Sequence, residues 1–211
     1  MNITVFGGTG ETGLLLIQKA LAAGHRVTAF ARNPAKFSFQ HDNLSIVQGN
    51  LDEPDNIDKA VSGADAVISI LGPTGKTKGL LISNGLKNII AAMEKNGVQR
   101  LIATTTPSYP DPKDRFQFGF AFGVWMVKTL LKDTYRDIVA TGTVVANSKL
   151  DWTLVRLPML SNQPASGNLN IGYTGDGKVK LFSLSRADLA DFLLKQLEAK
   201  TYLRQAPVIS N

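Results

Sequence analysis

An α/β fold, built on a doubly wound and mainly parallel sheet, is predicted by three observations. Short apolar runs alternate with helix-period segments from the first residue onward, the connections are short, and a glycine-rich loop lies directly between the first strand and the first helix. The composition agrees. A chain of 211 residues, 44% hydrophobic and 19% charged, can bury one substantial core. Residues 1–211 are therefore expected to form a single domain.

The elements follow in order. Residues 2–6 are a short apolar run ending in glycines, the pattern of a buried parallel strand. Residues 12–23 place Leu15, Leu16, Lys19, Ala20 and Ala23 at helical spacing, with Gly24 positioned to end the helix. Strands are expected over 26–31 and 44–47, then a short helix over 55–61 closed by Ser62 and Gly63. The run 64–71 is continuously apolar, as a strand covered on both faces should be. A long helix over 77–96 ends at Gly97 and leads to a strand over 100–105. A helix through 135–148 and a strand over 152–156 complete the alternation. The final helix starts at Ser185, whose hydroxyl can cap it together with Asp188.

Two stretches interrupt this pattern. Residues 106–133 carry prolines and then aromatics, and 157–185 are rich in Gly, Asn and Ser with alternating short strands. Both follow carboxyl ends of strands, where open sheets bind ligands, and they are expected to form a small substrate-side lobe.

Composition removes several classes. With no cysteine there is no disulfide, thiolate nucleophile or iron–sulfur cluster, and with only His25 and His41 no metal site is expected. The first residues lack the basic start of a signal peptide. The longest apolar stretch, about 118–127, is half of what a membrane span needs, so a cytoplasmic protein with no membrane partner is expected. The net charge of +6 fits an anionic ligand and equally a solvated basic surface. Without a basic run, zinc finger or RNP-type aromatic motif, nucleic acid is not an expected partner.

The loop Gly7-Gly8-Thr9-Gly10-Glu11-Thr12-Gly13 carries the strongest signal. Its glycines permit a tight turn and a close backbone approach, so the helix N-terminus can hold a pyrophosphate. Strand, loop, helix and second strand fall within about 30 residues, the context this Rossmann-type motif demands. NAD sites usually place an acid at the end of the second strand. Here that position is Arg32, with Lys36 nearby, which suits the 2′-phosphate of NADP.

Two look-alikes fail. Gly75-Lys76-Thr77 resembles the tail of a P-loop, but the required first glycine is Ile70. Tyr109 and Lys113 have Tyr-x-x-x-Lys spacing, yet Pro110 and Pro112 oppose the helical turn that pair requires.

The Gly-Gly-Thr-Gly-x-x-Gly start resembles atypical short-chain dehydrogenase/reductases, as do Asn50-Leu51 and Ile70-Leu71-Gly72. Within them the chain most resembles the NAD(P)H-binding group that contains biliverdin-IXβ reductase/flavin reductase and NmrA-like proteins. Ala103-Thr104-Thr105-Thr106, Leu150-Asp151-Trp152-Thr153 and 157–164 carry the likeness further, to the last helix. The resemblance implies roles by matching position. Gly7, Thr9, Gly10, Glu11, Thr12 and Gly13 would hold the pyrophosphate of NADP(H), and Arg32 with Lys36 the 2′-phosphate. Asn50 and Leu51 would flank the adenine, and Leu71 and Gly72 the adenosine ribose. Thr104 and Thr105 would line the nicotinamide side, with Pro158, Met159 and Leu160 closing over it. Thr106 stands where the family commonly has a serine near the hydride site. Met159 stands where the biliverdin-reducing enzyme has a histidine, a departure that weakens a tetrapyrrole assignment.

No general acid is evident, since Tyr135 has Val139 four residues on. A conjugated ring that accepts hydride can draw its proton from water, leaving catalysis to positioning. The run 116–125, with four phenylalanines and a tryptophan, reads either as an apolar wall for a flat substrate or as core or dimer packing. On the first reading Phe118, Phe120 and Tyr109 contact the acceptor. The expected function is an NADPH-dependent reductase of flavin, quinone or linear tetrapyrrole, monomeric or homodimeric. The alternative is an NmrA-like NADP(H) sensor without turnover.

Overall fold

The computed structural model describes residues 1–73, 79–180 and 183–211. The chain order is β1 (Asn2–Phe6), α1 (Glu11–Ala22), β2 (Arg26–Ala31), β3 (Leu44–Gln48), α2 (Pro54–Val61), β4 (Ala66–Ser69), α3 (Leu81–Lys95) and β5 (Arg100–Thr105). Then come α4 (Phe118–Leu130), α5 (Lys132–Ala146), β6 (Asp151–Arg156), β7 (Leu160–Ser161), β8 (Asn170–Gly172), β9 (Leu184–Ser185), α6 (Arg186–Lys195) and β10 (Val208–Ser210).

The main sheet has strand order β3-β2-β1-β4-β5-β6-β10-β8. Every pairing in it is parallel except β10 with β8, and β7 pairs with β9 in a separate two-stranded ribbon. The chain starts in the middle, winds outward through β2 and β3, then crosses back to β4. That reversal makes the doubly wound sheet and opens a crevice outside the carboxyl ends of β1 and β4.

One apolar core lies on each face of the sheet. On one, Phe6, Ile57, Leu86, Ile89, Met93 and Trp152 join α2 and α3 to the strands. On the other, Ile3, Leu16, Ile17, Leu189 and Leu193 bury α1 and α6. The central strands β1 and β4 are buried at every position but Asn2, which is why both are apolar apart from that residue, Thr4 and Ser69.

The structure corrects several expectations. The segment after β5 contains a further helix, α4, where an irregular substrate-side loop was expected. Strand β8 lies in the 157–185 segment where short strands are expected, but β10 and its antiparallel pairing with β8 are not announced by the sequence. The sixth helix is capped by the Ser185 hydroxyl as expected, accepting from the N–H groups of Ala187 and Asp188. The Asp188 carboxylate does not complete that cap. It accepts instead from the N–H groups of Ser166 and Gly167 and from the Asn211 amide, tying the 166–168 turn and the C-terminal residue to α6. The described start of α3 is Leu81, and both Thr77 and the Gly75-Lys76-Thr77 look-alike lie outside the described residues.

Candidate functional site

The site is built at the reversal in strand order. Gly7 leaves β1 at φ +86°, and a Cβ there would stand 2.6 Å from the Ile70 carbonyl oxygen, so only glycine lets the end of β4 close against the loop. A Cβ on Gly13 would overlap the Gly7 carbonyl and the Gly8 backbone, so α1 packs directly over the loop. Gly10 differs. It precedes α1 with an ordinary φ of −78°, offers no side-chain cap, and a Cβ there would meet only the Gly7 carbonyl, at 3.6 Å. Protein packing does not require a glycine at this position. Its bareness leaves the amide end of α1 open, and a helix start without a cap is a ready anion site.

A cleft of about 530 Å³ extends from this loop. It is lined by Gly7, Thr9 and Gly10 of the loop, Arg32 and Lys36 after β2, Asn50 and Leu51 after β3, and Leu71, Gly72 and Ile82. Local chemistry sets each of these positions. The Asn33 side chain accepts from the Ala35 N–H, starting a 3₁₀ turn at Pro34–Lys36 that turns Lys36 back beside Arg32. Among the described residues, neither cation enters an ion pair. The Asn50 amide donates to Glu53 at 2.7 Å, and the Asn56 amide also donates to Glu53 at 2.7 Å. These bonds hold the Glu53 carboxyl below the ordinary glutamate range. Leu51 packs against Gly85 of α3, where a Cβ would come within 2.8 Å of its side chain, and the Asn88 amide holds its carbonyl at 2.8 Å.

A second cavity of about 160 Å³ adjoins the first and shares Leu71, Gly72 and Ile82 with it. Thr104, Thr105 and Thr106 from the end of β5 line it, with Pro158 and Leu160 after β6 and Thr134, Asp137, Ile138 and Thr141 from α5. The hydroxyls of Thr104 and Thr105 donate to the carbonyls of Ser69 and Ile138. The Thr106 hydroxyl accepts from the Ser108 N–H at 3.3 Å, and its own proton has no protein acceptor among the described residues.

Asp137 is the residue that sequence reading missed. It is 2% exposed, and its two oxygens accept the N–H groups of Ile82 and Ser83, each at 2.9 Å. A carboxylate on α5 thus caps α3, whose own preceding residue, Leu80, cannot do so. It fixes Ile82, which belongs to both cavities. Its only sequence signal is an acid set at helical spacing among Thr134, Ile138 and Thr141.

Other sequence candidates are not brought to these cavities. Met159 is 77% exposed and lines neither. Phe118 opens α4 and is 78% exposed, and Phe120, half-buried on the same helix, also lines neither cavity. The Tyr109 ring fills a notch over Gly142, and burial raises its hydroxyl above the ordinary tyrosine range. That ring packs rather than facing the cavity. Thr12 and Gly13 are buried under the loop, leaving their backbone amides as their contribution, and Glu11 pairs with Arg186 of α6 at 3.0 Å.

The segment after β5 is anchored by a fully buried arginine. Arg156, at the end of β6, forms a two-pronged ion pair with Asp114 at 2.6 and 2.8 Å and donates to the carbonyls of Tyr109 and Ala206. Burial alone would raise the Asp114 carboxyl. The Arg156 bonds and the N–H groups of Asp111 and Thr174 outweigh it and hold the group below the ordinary aspartate range.

Known proteins agree with this architecture. The oxidoreductase ylbE of Lactococcus lactis superimposes with a TM-score of 0.81 at 25% identity, covering 100% of this chain and 91% of that one. A short-chain dehydrogenase/reductase of Veillonella parvula in complex with NADP shares the fold with a TM-score of 0.79 at 17% identity, covering 100% and 94%. In sequence, a 2-alkyl-3-oxoalkanoate reductase of Stenotrophomonas maltophilia is 28% identical over 92% of this chain. The photosystem II assembly factor Ycf39 of Synechocystis is 24% identical over 100% of it. This chain spans 64% and 63% of those two relatives, just under two thirds of their length. A family model described as NAD(P)H-binding matches residues 7–200, from the loop that opens the cleft to the end of α6 and beyond. The chain belongs to that NAD(P)H-binding family.

Proposed function

We propose that the protein is an NADPH-dependent reductase whose acceptor is a flat conjugated molecule such as a flavin, a quinone or a linear tetrapyrrole. The observation that carries this reading is the junction of the two cavities at Leu71, Gly72 and Ile82. A dinucleotide laid along the first would reach the threonine-lined second. The similarity to a 2-alkyl-3-oxoalkanoate reductase supports reduction as the reaction class.

The residues fit the cofactor because Gly10 leaves the amide end of α1 bare without being required by packing. That end would take the pyrophosphate, and Arg32 with Lys36 the 2′-phosphate. Asn50 and Leu51 would border the adenine, and Leu71 and Gly72 the ribose. NADPH, when bound, supplies the hydride. Thr104 and Thr105, their protons already donated to backbone, offer a wall of methyl groups and lone pairs. Thr106 keeps a proton free to hydrogen-bond a heteroatom of the acceptor. Pro158 and Leu160 exclude water from the other side. The cavity holds no Tyr–Lys pair among the described residues. A conjugated acceptor can draw the proton that completes its reduction from water, with rate supplied by orientation.

The test is NADPH oxidation with FMN, riboflavin, quinones and biliverdin offered in parallel, followed by the loss of reduced-nicotinamide absorbance. Flavin or quinone turnover is expected, with biliverdin the poorer substrate. Arg32→Ala should weaken NADPH roughly 10- to 150-fold while leaving NADH little changed, and the exposure of Arg32 draws the effect toward the lower figure. Tight NADPH binding without turnover of any acceptor would replace the enzyme with the NmrA-like sensor. An unchanged NADPH/NADH ratio would remove the 2′-phosphate assignment.

A further inference from the structure

Helix α4 contains no buried residue, although its mean hydropathy is the highest of the helices described. At 100° per residue, Phe118, Phe122, Trp125, Met126 and Leu130 fall in one sector about 140° wide. Each is exposed, Trp125 by 57% and Leu130 by 72%. Half-buried Phe120, Val124 and Val127 fall on the opposite side, and α4 packs on α5. The solvent-facing sector is thus a second apolar face with none of the described residues packed over it. Phe122 and Trp125 stack there at 5.8 Å. The sector also contains Thr129, whose hydroxyl donates back to the carbonyls of Trp125 and Met126, so it needs no water partner.

Charge decides what fits this face. From Arg115 to Lys132 there is no acidic residue, and Arg115, Lys128 and Lys132 frame the apolar sector. A second copy of the chain seated face to face with its helix parallel would set these cations against their own counterparts, whereas an antiparallel one would bring Arg115 toward the exposed Asp133. An anionic surface would meet the same frame favourably. Exposed aromatic and aliphatic side chains with cations beside them suit an anionic membrane interface, and α4 differs from a free interfacial helix in that its other side is apolar and packs on α5 instead of carrying charge.

We propose that α4 docks the protein on an anionic lipid surface, with the Phe118–Leu130 sector in the acyl–headgroup boundary and Arg115, Lys128 and Lys132 on lipid phosphates. The helix lies on the surface and does not span. No described helix is long and apolar enough to cross a membrane. The absence of a membrane partner expected from sequence rested on that length. Surface docking needs only one face. The inference stands apart from the reductase reading, since neither cavity is lined by α4.

Vesicle flotation of the whole chain tests it, using equal parts phosphatidylcholine and phosphatidylglycerol against pure phosphatidylcholine. Emission is informative because the other tryptophan, Trp152, is buried in the core, so a blue shift on binding reports Trp125. The expected result is flotation and a blue shift with anionic vesicles, both reduced by salt, and little of either with the neutral ones. Lys128→Glu with Lys132→Glu should weaken binding roughly 30-fold or more, from the contribution of lysines near an anionic surface. Phe122→Ser with Met126→Ser and Leu130→Ser should abolish it. These side chains lie outside the core and both cavities, so unchanged NADPH affinity would show that each variant is folded. Three results would overturn the proposal: no flotation with anionic vesicles, flotation indifferent to either variant, or a concentration-dependent dimer in lipid-free buffer in which Trp125 is already blue-shifted.

Discussion

Gly10 separates ligand from fold more cleanly than any other residue of the loop. Gly7 and Gly13 are required by backbone approaching backbone, so substituting them confounds binding with folding. A side chain at position 10 meets only the Gly7 carbonyl at ordinary contact distance and would otherwise occupy the space above the start of α1. Gly10→Val should therefore stay folded, with a loss of about 1 kcal/mol from the poorer helix start, and should lose NADPH binding. Calorimetry on the folded variant checks this, and unchanged affinity would place the pyrophosphate elsewhere. Arg32 could be picked out of the sequence from its place at the end of the second strand, and Asn50 and Gly72 from the resemblance to a known family. Asp137 and Arg156 could not. Asp137 caps a helix that begins 56 positions earlier, and Arg156 meets an aspartate 42 positions back, so no local pattern marks either.

At the scale of elements, the shared wall of the two cavities depends on where α3 begins, and α5 sets that. Asp137→Ala leaves two buried N–H groups without a partner, and a stability loss of about 1.5–3 kcal/mol is expected. Because Ile82 lines both cavities, the dissociation constant of NADPH and the Michaelis constant of the acceptor should rise together. Asp137→Asn keeps one acceptor and should recover part of both. Urea unfolding with parallel kinetics measures this, and a variant with lowered stability but unaltered constants would reduce Asp137 to a structural cap. The same scale shows why α4 escaped the sequence reading. A helix is recognised by apolar positions recurring against polar ones, and 116–127 has almost no polar residue to supply the contrast. Strands β8 and β10, three residues each, are too short to show alternation, and their backbone hydrogen bonds are completed across the sheet, β8 by β10 and β10 by both β8 and β6.

Over the whole molecule, the carboxylates that hold loops and turns in place make stability depend on acid. Asp114, Asp176 and Asp188 all titrate below the ordinary aspartate value, held there by N–H groups and, for Asp114, by Arg156. A depressed folded pKa stabilises above the unfolded value, and that contribution is lost as pH falls through the folded one. The urea midpoint should therefore be nearly flat from about pH 7 to 5 and fall below about pH 4, where unfolded aspartates begin to protonate. Asp114→Ala should cost about 3–5 kcal/mol at neutral pH by stranding the buried Arg156, and should flatten part of the acid limb. Full acid dependence in that variant would assign the effect to other groups. The sequence by itself determined the alternation of strands and helices that makes a mainly parallel sheet, and the glycine loop after its first strand, because periodicity and turn chemistry act over a few neighbouring residues. Only the tertiary structure decided that α5 caps α3, that Arg156 holds the segment after β5, that Tyr109 packs on Gly142, and that α4 keeps one apolar face in solvent. Each of these joins residues far apart in the chain, and their energy exists only once the elements have been brought together.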